Sequence, residues 1–502
     1  MSSFASMTKP ANKVSHPKHI MVAGTSSHAG KSVIVSALCA IFSRKYKTAP
    51  FKAQNMSLNS WITQDGGEIG IAQAIQAHAA GIEPTVDMNP VLLKPKGDRT
   101  SQIIVLGKPY ADRTAGEYYH SIEKAQKVVA GALNRLGQEY EVIVMEGAGG
   151  AAEINLYHRD IVNIGAARLV SPDIIIVGDI ERGGVFASLY GTFTLLPDDV
   201  RAMVKGFIIN KFRGDMEILR PGLTQLEELT GIPVLGVLPY TNIRIPSEDS
   251  VSIGDKTHSC GEHEIDIAVI QFAHISNFTD FEPLEDVANV RYVKPHENLQ
   301  NPDLIILPGT KNTTADLIEM QMSGMDKQVI AMSGKVPIIG ICGGYQMLGK
   351  IIKDSGIEHD TGMVKGLGLL DIETVFDEYK KTTVQVTKQV TYGGKMLDSI
   401  VGTAVQGYEI HMGQTMLISG DAVFGDDGCM SESGLVFGTY LHGLFGNENV
   451  KDALLEYLHE KKGTQYTKTT KKPDVDVYRE LGEFFEEHVD MVKLRKLCGI
   501  VE

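Results

Sequence analysis

Pro337-Ile-Ile-Gly-Ile-Cys342-Gly-Gly-Tyr-Gln346-Met-Leu-Gly349 is an apolar run that enters a glycine-flanked turn and then continues with helical character. A strand feeding a helix through so tight a turn belongs to an α/β fold, and glycine neighbours permit the conformation such a turn needs. The N–H groups beyond the turn and the helix N-terminus favour a thiolate and can bind an oxyanion. Cys342 therefore has two readings, a nucleophile on an elbow and a buried core thiol. Its surroundings decide between them.

Two neighbours favour the nucleophile. Gly438-Thr-Tyr-Leu-His442-Gly-Leu-Phe445 places a histidine just after another apolar run, where the fold can bring it to the thiol as a general base. Leu307-Pro-Gly309-Thr-Lys-Asn312 is a second glycine turn at a strand end. Its Gly309 N–H and that of Gly343 form a candidate oxyanion pair. Around them Ile265–Ile270, Leu304–Leu307, Pro337–Ile341 and Leu435–Tyr440 are short apolar runs bounded by turn residues, which suits buried parallel strands.

The first half repeats this architecture with different chemistry. Ile20–Ala23, Val142–Met145, Ile174–Val177, Gly206–Ile209 and Val234–Leu238 read as parallel strands. After the first comes Gly24-Thr25-Ser-Ser-His-Ala-Gly30-Lys31-Ser32, followed by a helical stretch, the context a phosphate-binding loop requires. Lys31 would reach the terminal phosphates of ATP and the Ser32 hydroxyl would bind Mg²⁺. Thr25 stands where the usual spacing has the first glycine, and Gly24 lies one residue earlier. Glu146, ending the strand before Gly-Ala-Gly-Gly150, is a second candidate Mg²⁺ ligand or else a turn residue. Lys52, just past another short strand, is a candidate for phosphate or a substrate carboxylate. Asn210 and Lys211, at a strand end, are candidates for the purine base.

The chain has 502 residues, 43% hydrophobic and 22% charged, with 52 glycines, which implies two large domains of α/β type. A formal charge of −14 argues against nucleic acid or an anionic membrane as main partner. Cys39, Cys260, Cys342, Cys429 and Cys498 form no C-x-x-C pair, and no stretch approaches a membrane span or a secretory h-region. A cytoplasmic protein with reduced thiols is expected, and the sequence leaves a homo-oligomer open. The expected organisation is a disordered lead-in at 1–18, an ATP-dependent domain at 19–245, a linker at 246–263, a second α/β domain at 264–447 and a helical cap at 448–502.

The Cys342 elbow, the Pro308-Gly309 turn and Tyr440-Leu-His442-Gly443 resemble a class I glutamine amidotransferase domain, which implies a flavodoxin-like fold and ammonia released from glutamine. That family places Glu two residues after the histidine, where this chain has Leu444. The departure implies a less stabilised imidazolium and a glutaminase that is weak or dependent on the other domain. Gly24–Ser32, Phe51-Lys52 and Glu146-Gly-Ala-Gly149 are similar to dethiobiotin synthetase, a P-loop-type fold with a mostly parallel sheet that activates a carboxylate with ATP. In this order the two halves resemble the corrin-ring amidases. Lys52–Asn59, Gly67–Gly70, Glu153–Leu156, Asp160–Asn163, Asn210–Asp215, Gly407–Gly413 and Gly438–Gly443 resemble the cobyric acid synthase family over most of the chain.

That resemblance implies ATP- and glutamine-dependent amidation of four peripheral carboxylates of adenosylcobyrinic acid a,c-diamide, giving adenosylcobyric acid in cobalamin biosynthesis. It also implies Asp65 as a further metal candidate, and Asp160 and Asn163 as contacts to the corrin or its acyl phosphate. The basic run Lys94, Lys96 and Arg99 would meet corrin carboxylates or form a solvated loop. The rival readings are a cobyrinic acid a,c-diamide synthase and a nucleotide-dependent regulatory protein with an inactive amidotransferase domain.

Overall fold

The computed structural model describes residues 16–96, 100–114, 122–241, 243, 245–246, 263–358, 362–377, 379–468 and 474–500. The bulk of the lead-in, Arg99 and most of the expected linker lie outside these residues.

Six parallel strands form the first sheet: β1 (Lys18–Gly24), β2 (Thr48–Phe51), β3 (Val142–Glu146), β4 (Asp173–Asp179), β5 (Val204–Phe212) and β6 (Val234–Pro239). Their order is β6-β5-β4-β1-β3-β2. Strand β1 sits between β3 and β4, where the connections reverse direction, and sheets of this kind take ligands beyond the carboxyl ends of the strands at such a point. Successive residues of β1 feed opposite cores, which explains why its run is apolar throughout. Ile20 and Val22 pack with the helix Lys31–Phe42, while Met21 and Ala23 pack on the other face.

The second sheet contains β7 (Asp266–Ile270), β8 (Asn289–Val293), β9 (Leu304–Leu307), β10 (Ile338–Ile341), β11 (Cys429–Met430) and β12 (Val436–Thr439). Its order is β8-β7-β9-β10-β12-β11, with only the β11/β12 pair antiparallel. Among the described residues no helix is long and apolar enough to cross a membrane.

Antiparallel additions absent from the sequence reading build the junction between the halves. From the first half come the hairpin Ser60–Ile62 with Glu68–Gly70, and a four-stranded sheet including Val91–Pro95 and Thr100–Val105. From the second comes the ribbon Thr382–Gln389 with Ala404–His411, onto which Leu441–His442 pairs. Gln385 Nε2 donates to the Ile62 carbonyl at 2.6 Å and Thr383 Oγ1 to that of Gly66 at 2.8 Å. Ser60–Ile62, Glu68–Gly70 and Leu441–His442 are two or three residues long and half of Thr382–Gln389 is exposed, so these strands lack the uniform apolar run that marks the parallel strands.

The C-terminal segment read as one cap is divided between the cores. The helix Glu448–Lys462 packs Val450, Leu454 and Leu458 on the second. The helices Asp474–His488 and Met491–Leu497 return to the first, burying Leu481, Phe485 and Leu494 beside Ile34 and Leu38. Asp490 N–H donates to Leu235 O of β6 at 2.8 Å, fixing the turn between these helices. Phe485 is 1% exposed. Phe485→Ala should therefore cost about 3–5 kcal/mol, read as a lower urea midpoint for the nucleotide-side unfolding transition. An unchanged midpoint would show that this helix does not support the first core.

Candidate functional site

At the carboxyl end of β1, Gly30 has φ 99° and its missing side chain is essential, because a Cβ would lie 2.0 Å from Asn210 Nδ2. Asn210 Nδ2 donates to Ala29 O at 3.0 Å, so Asn210 braces the loop, and Lys211 pairs with Asp179 at 2.9 Å. Thr25 continues the strand, its N–H donating to Val177 O at 2.9 Å. The Lys31 ammonium curls back over the loop and donates to Ser26 O and Gly149 O, each at 2.9 Å. A Cβ on Gly24 would lie 2.8 Å from that Lys31 nitrogen, so the early glycine makes room for the lysine.

Glu146 ends the adjacent β3 and is almost fully buried. Its Oε1 accepts from Ser32 Oγ at 2.9 Å and Lys52 Nζ at 2.8 Å, and its Oε2 from Gln76 Nε2. Ser32 and Glu146 thus form an oxygen donor set of the kind a small hard cation takes, and the Lys52 contact shows a carboxylate already compensated by positive charge. These residues fit Mg²⁺. Lys52 is occupied here within the protein.

Several other sequence candidates are also engaged internally. Asp160 Oδ1 accepts from the N–H groups of Val162, Asn163 and Ile164, while Asn163 clamps both backbone groups of Ala148. The pair holds the glycine loop after Glu146. Asp65 is exposed in a hairpin turn and accepts from Thr63 Oγ1, so the structure does not gather it with Ser32 and Glu146. Lys94 is not on a solvated loop. Strand alternation points it inward, where it pairs at 2.8 Å with the fully buried Glu68. Lys96 pairs with Asp112 at 2.7 Å and donates to Ile357 O at 3.1 Å across the junction.

At the second site Cys342 has φ 52° and ψ −107°, a strained conformation worth about 1–3 kcal/mol that packing must impose. Its N–H donates to Thr439 O at 2.8 Å, and the next turn is pressed on β9: a Cβ on Gly344 would sit 2.0 Å from Leu307 O. The thiol donates to Ile410 O at 3.5 Å. Gly309 borders the histidine, since a Cβ there would lie 3.1 Å from His442 Cε1. Gly343 faces the same turn, its own Cβ position falling 2.6 Å from Thr310 Cγ2. As the first residue of a helix, Gly343 has no intrahelical acceptor for its N–H.

The expectation of a less stabilised imidazolium, drawn from the absent Glu, is corrected. His442 Nδ1 lies 2.7 Å from Asp280 Oδ2, and Asp280 Oδ1 accepts from Gly443 N–H at 2.9 Å. The carboxylate arrives from the short helix Phe278–Phe281 after β7, while Leu444 is buried in the core. The sequence signal was an acidic residue between Phe278 and Phe281, but its separation from His442 concealed the partnership. His442 Nε2 makes no hydrogen bond to a described nitrogen or oxygen and interacts electrostatically with the Cys342 sulfur. Burial pulls the imidazole down, but the Asp280 charge and hydrogen bond, with Cys342, lift it to about 10. Its stabilising contribution is full below about 6.5 and is lost as pH rises through about 10. The Tyr408 ring stacks on the imidazole at 5.2 Å and 15°.

The two halves match separate protein families. A family profile described as "CobB/CobQ-like glutamine amidotransferase domain" matches residues 266–450, and one described as "CobQ/CobB/MinD/ParA nucleotide binding domain" matches residues 20–252. A "Probable cobyric acid synthase" of Methanococcoides burtonii is 66% identical over 485 residues, covering 96% of this chain and 97% of that protein. Proteins of the same name from Methanosarcina mazei and Methanocella arvoryzae are 63% and 56% identical, each covering 96% of this chain and 99% and 98% of their own lengths.

Asp280→Asn should lower kcat for ammonia release from glutamine by about 10²- to 10⁴-fold, because the imidazole loses the partner that fixes its tautomer and stabilises its charge. A change within twofold would show that Asp280 only packs beside His442.

Proposed function

The chain belongs to the cobyric acid synthase family, and on that premise we propose that it releases ammonia from glutamine at Cys342 and delivers it to corrin carboxylates activated in its first half. It is a glutamine-dependent ligase that carries out amidation in cobalamin biosynthesis and uses ATP. The rival diamide synthase and the inactive regulatory protein are not favoured, since close relatives along nearly the whole chain carry the cobyric acid synthase name. The observation that carries the mechanism is the buried Cys342, His442 and Asp280 constellation in the same chain as the Lys31, Ser32 and Glu146 cluster.

A carboxylate resists ammonia because oxide is a poor leaving group, whereas an acyl phosphate is readily displaced. In this reading Lys31 holds the terminal phosphates and the loop glycines let the backbone approach them. Mg²⁺ would be held by Ser32 and Glu146 and would neutralise phosphate charge. Lys52 and the glutamines Gln73 and Gln76 keep Glu146 oriented in a buried setting. The corrin substrate is adenosylcobyrinic acid a,c-diamide, amidated at four positions.

At the second site His442 takes the thiol proton as the Cys342 sulfur attacks the glutamine side-chain carbonyl, and passes it to the nitrogen as the C–N bond breaks and ammonia departs. Water then cleaves the resulting thioester, releasing glutamate and restoring the thiol. Asp280 keeps the imidazole oriented throughout. The N–H groups of Gly309 and Gly343 are the donors for the tetrahedral oxyanion. Ammonia then passes inside the protein, since free ammonia at neutral pH would be protonated and lose nucleophilicity.

Protein incubated with ATP, Mg²⁺, glutamine and adenosylcobyrinic acid a,c-diamide should give a product whose mass reflects four new amides. No mass change with intact enzyme and substrate would refute the assignment. Cys342→Ala should abolish the glutamine-driven reaction and retain amidation driven by ammonium salts. Equal loss with both donors would make Cys342 a structural residue.

A further inference from the structure

Cys342 opens onto a small cavity whose wall also carries Lys311, Glu358, Lys381 and, from the first half, Lys94. Two of these cations are compensated: Lys94 and Lys381 both pair with the buried Glu68. Lys311 is different. It is only 7% exposed, yet its ammonium makes no hydrogen bond or salt bridge with a described residue. Burial first, and then the nearby Lys381 and Lys94 charges, push this ammonium down, with Glu358 opposing. A buried cation left in that state is costly, and an incoming anion would relieve the cost.

Glu358 supplies the opposite sign. Its Oε2 accepts from Thr313 N–H at 2.8 Å, an anchor that holds the carboxylate at the cavity wall. Burial pushes its carboxyl up, opposed by Lys311. Lys311 itself lies two residues beyond Gly309 on the turn that borders His442, and its N–H donates to His274 O at 2.9 Å, which fixes the backbone from which it reaches. The cavity therefore presents a cation and an anion beside one nucleophile.

We propose that Lys311 and Glu358 form the head-group clamp for glutamine, Lys311 taking the α-carboxylate and Glu358 the α-ammonium while the side-chain amide lies on Cys342. The proposal rests on the glutaminase reading and adds the groups that select the amino acid. Each ionic group would exchange its desolvated state for a charge-assisted hydrogen bond, which an amide lacking either head group cannot supply. Neither residue stands in the sequence motif that marks the nucleophile, so the clamp was invisible until the cavity brought Lys311 and Glu358 together.

The test compares ammonia release from L-glutamine, from glutaramate, which lacks the α-amine, and from 4-aminobutyramide, which lacks the α-carboxylate. Glu358→Gln should lower kcat/KM for L-glutamine about tenfold or more while changing that for glutaramate much less. Lys311→Met should show the same pattern for L-glutamine against 4-aminobutyramide. Because each variant is judged by a ratio within one preparation, partial misfolding cancels, and Lys311→Arg and Glu358→Asp should restore part of the selectivity. Equal losses on glutamine and analogue in both variants would overturn the clamp. A wild-type protein that releases no ammonia from glutamine would instead overturn the glutaminase reading on which the clamp rests.

Discussion

Two hydrogen bonds across the junction hold the element on which the ammonia chemistry depends. Ser60 N–H donates to Asn277 Oδ1 at 3.0 Å, and Phe278 N–H donates to Asn59 Oδ1 at 3.1 Å. All four groups are buried, so an unmade bond would leave a desolvated polar atom at a cost of about 1–3 kcal/mol. Asn277 and Phe278 begin the short helix that ends in Asp280 and Phe281. The carboxylate that orients His442 is thus held in place by the half that handles the nucleotide. The buried Glu68, shared by Lys94 of its own half and Lys381 of the other, fastens the same junction through charge. Burial works against ionisation of Glu68, but the two cations hold its carboxyl well below the usual range.

This arrangement gives the departure at Leu444 a physical explanation. Where the position two after the histidine is apolar and buried, the side chain joins Phe281 and Phe445 in the core, and the acid comes from the neighbouring helix instead. The expected weakness of the glutaminase does not follow from the missing Glu, because its role has moved. A dependence on the first half remains physically reasonable, since Asn59 and Ser60 hold the Asp280 helix and Lys94 closes the cavity.

The parallel strands and both loop motifs were legible in the sequence because each is a local pattern: a run buried on both faces, ended by glycine. Cys342, His442, Lys31, Ser32 and Glu146 stand at strand or loop ends for that reason. What escaped was whatever depends on distant pairing. Asp280 and His442 meet only when β7 and β12 share a sheet, and Lys311 and Glu358 only around the cavity they line. Lys94 escaped for another reason. A basic run with proline reads as a loop, but pairing of Val91–Pro95 with Ser101–Val105 makes it a strand and turns Lys94 inward toward Glu68. Asp160 and Asn163, which the resemblance placed against the substrate, use polar atoms to brace the loop at Ala148 in this structure, a local contact that their residue types alone do not specify.

The junction is built from strands of both halves. In the proposed mechanism ammonia moves between the two sites without entering solvent. The direct measurement supplies glutamine labelled with ¹⁵N at its side-chain amide together with excess unlabelled ammonium at neutral pH, and reads the product by mass spectrometry. Four labelled amides are predicted. Label diluted to the ratio of the bulk ammonium would show that the ammonia equilibrates with solvent and overturn sheltered transfer.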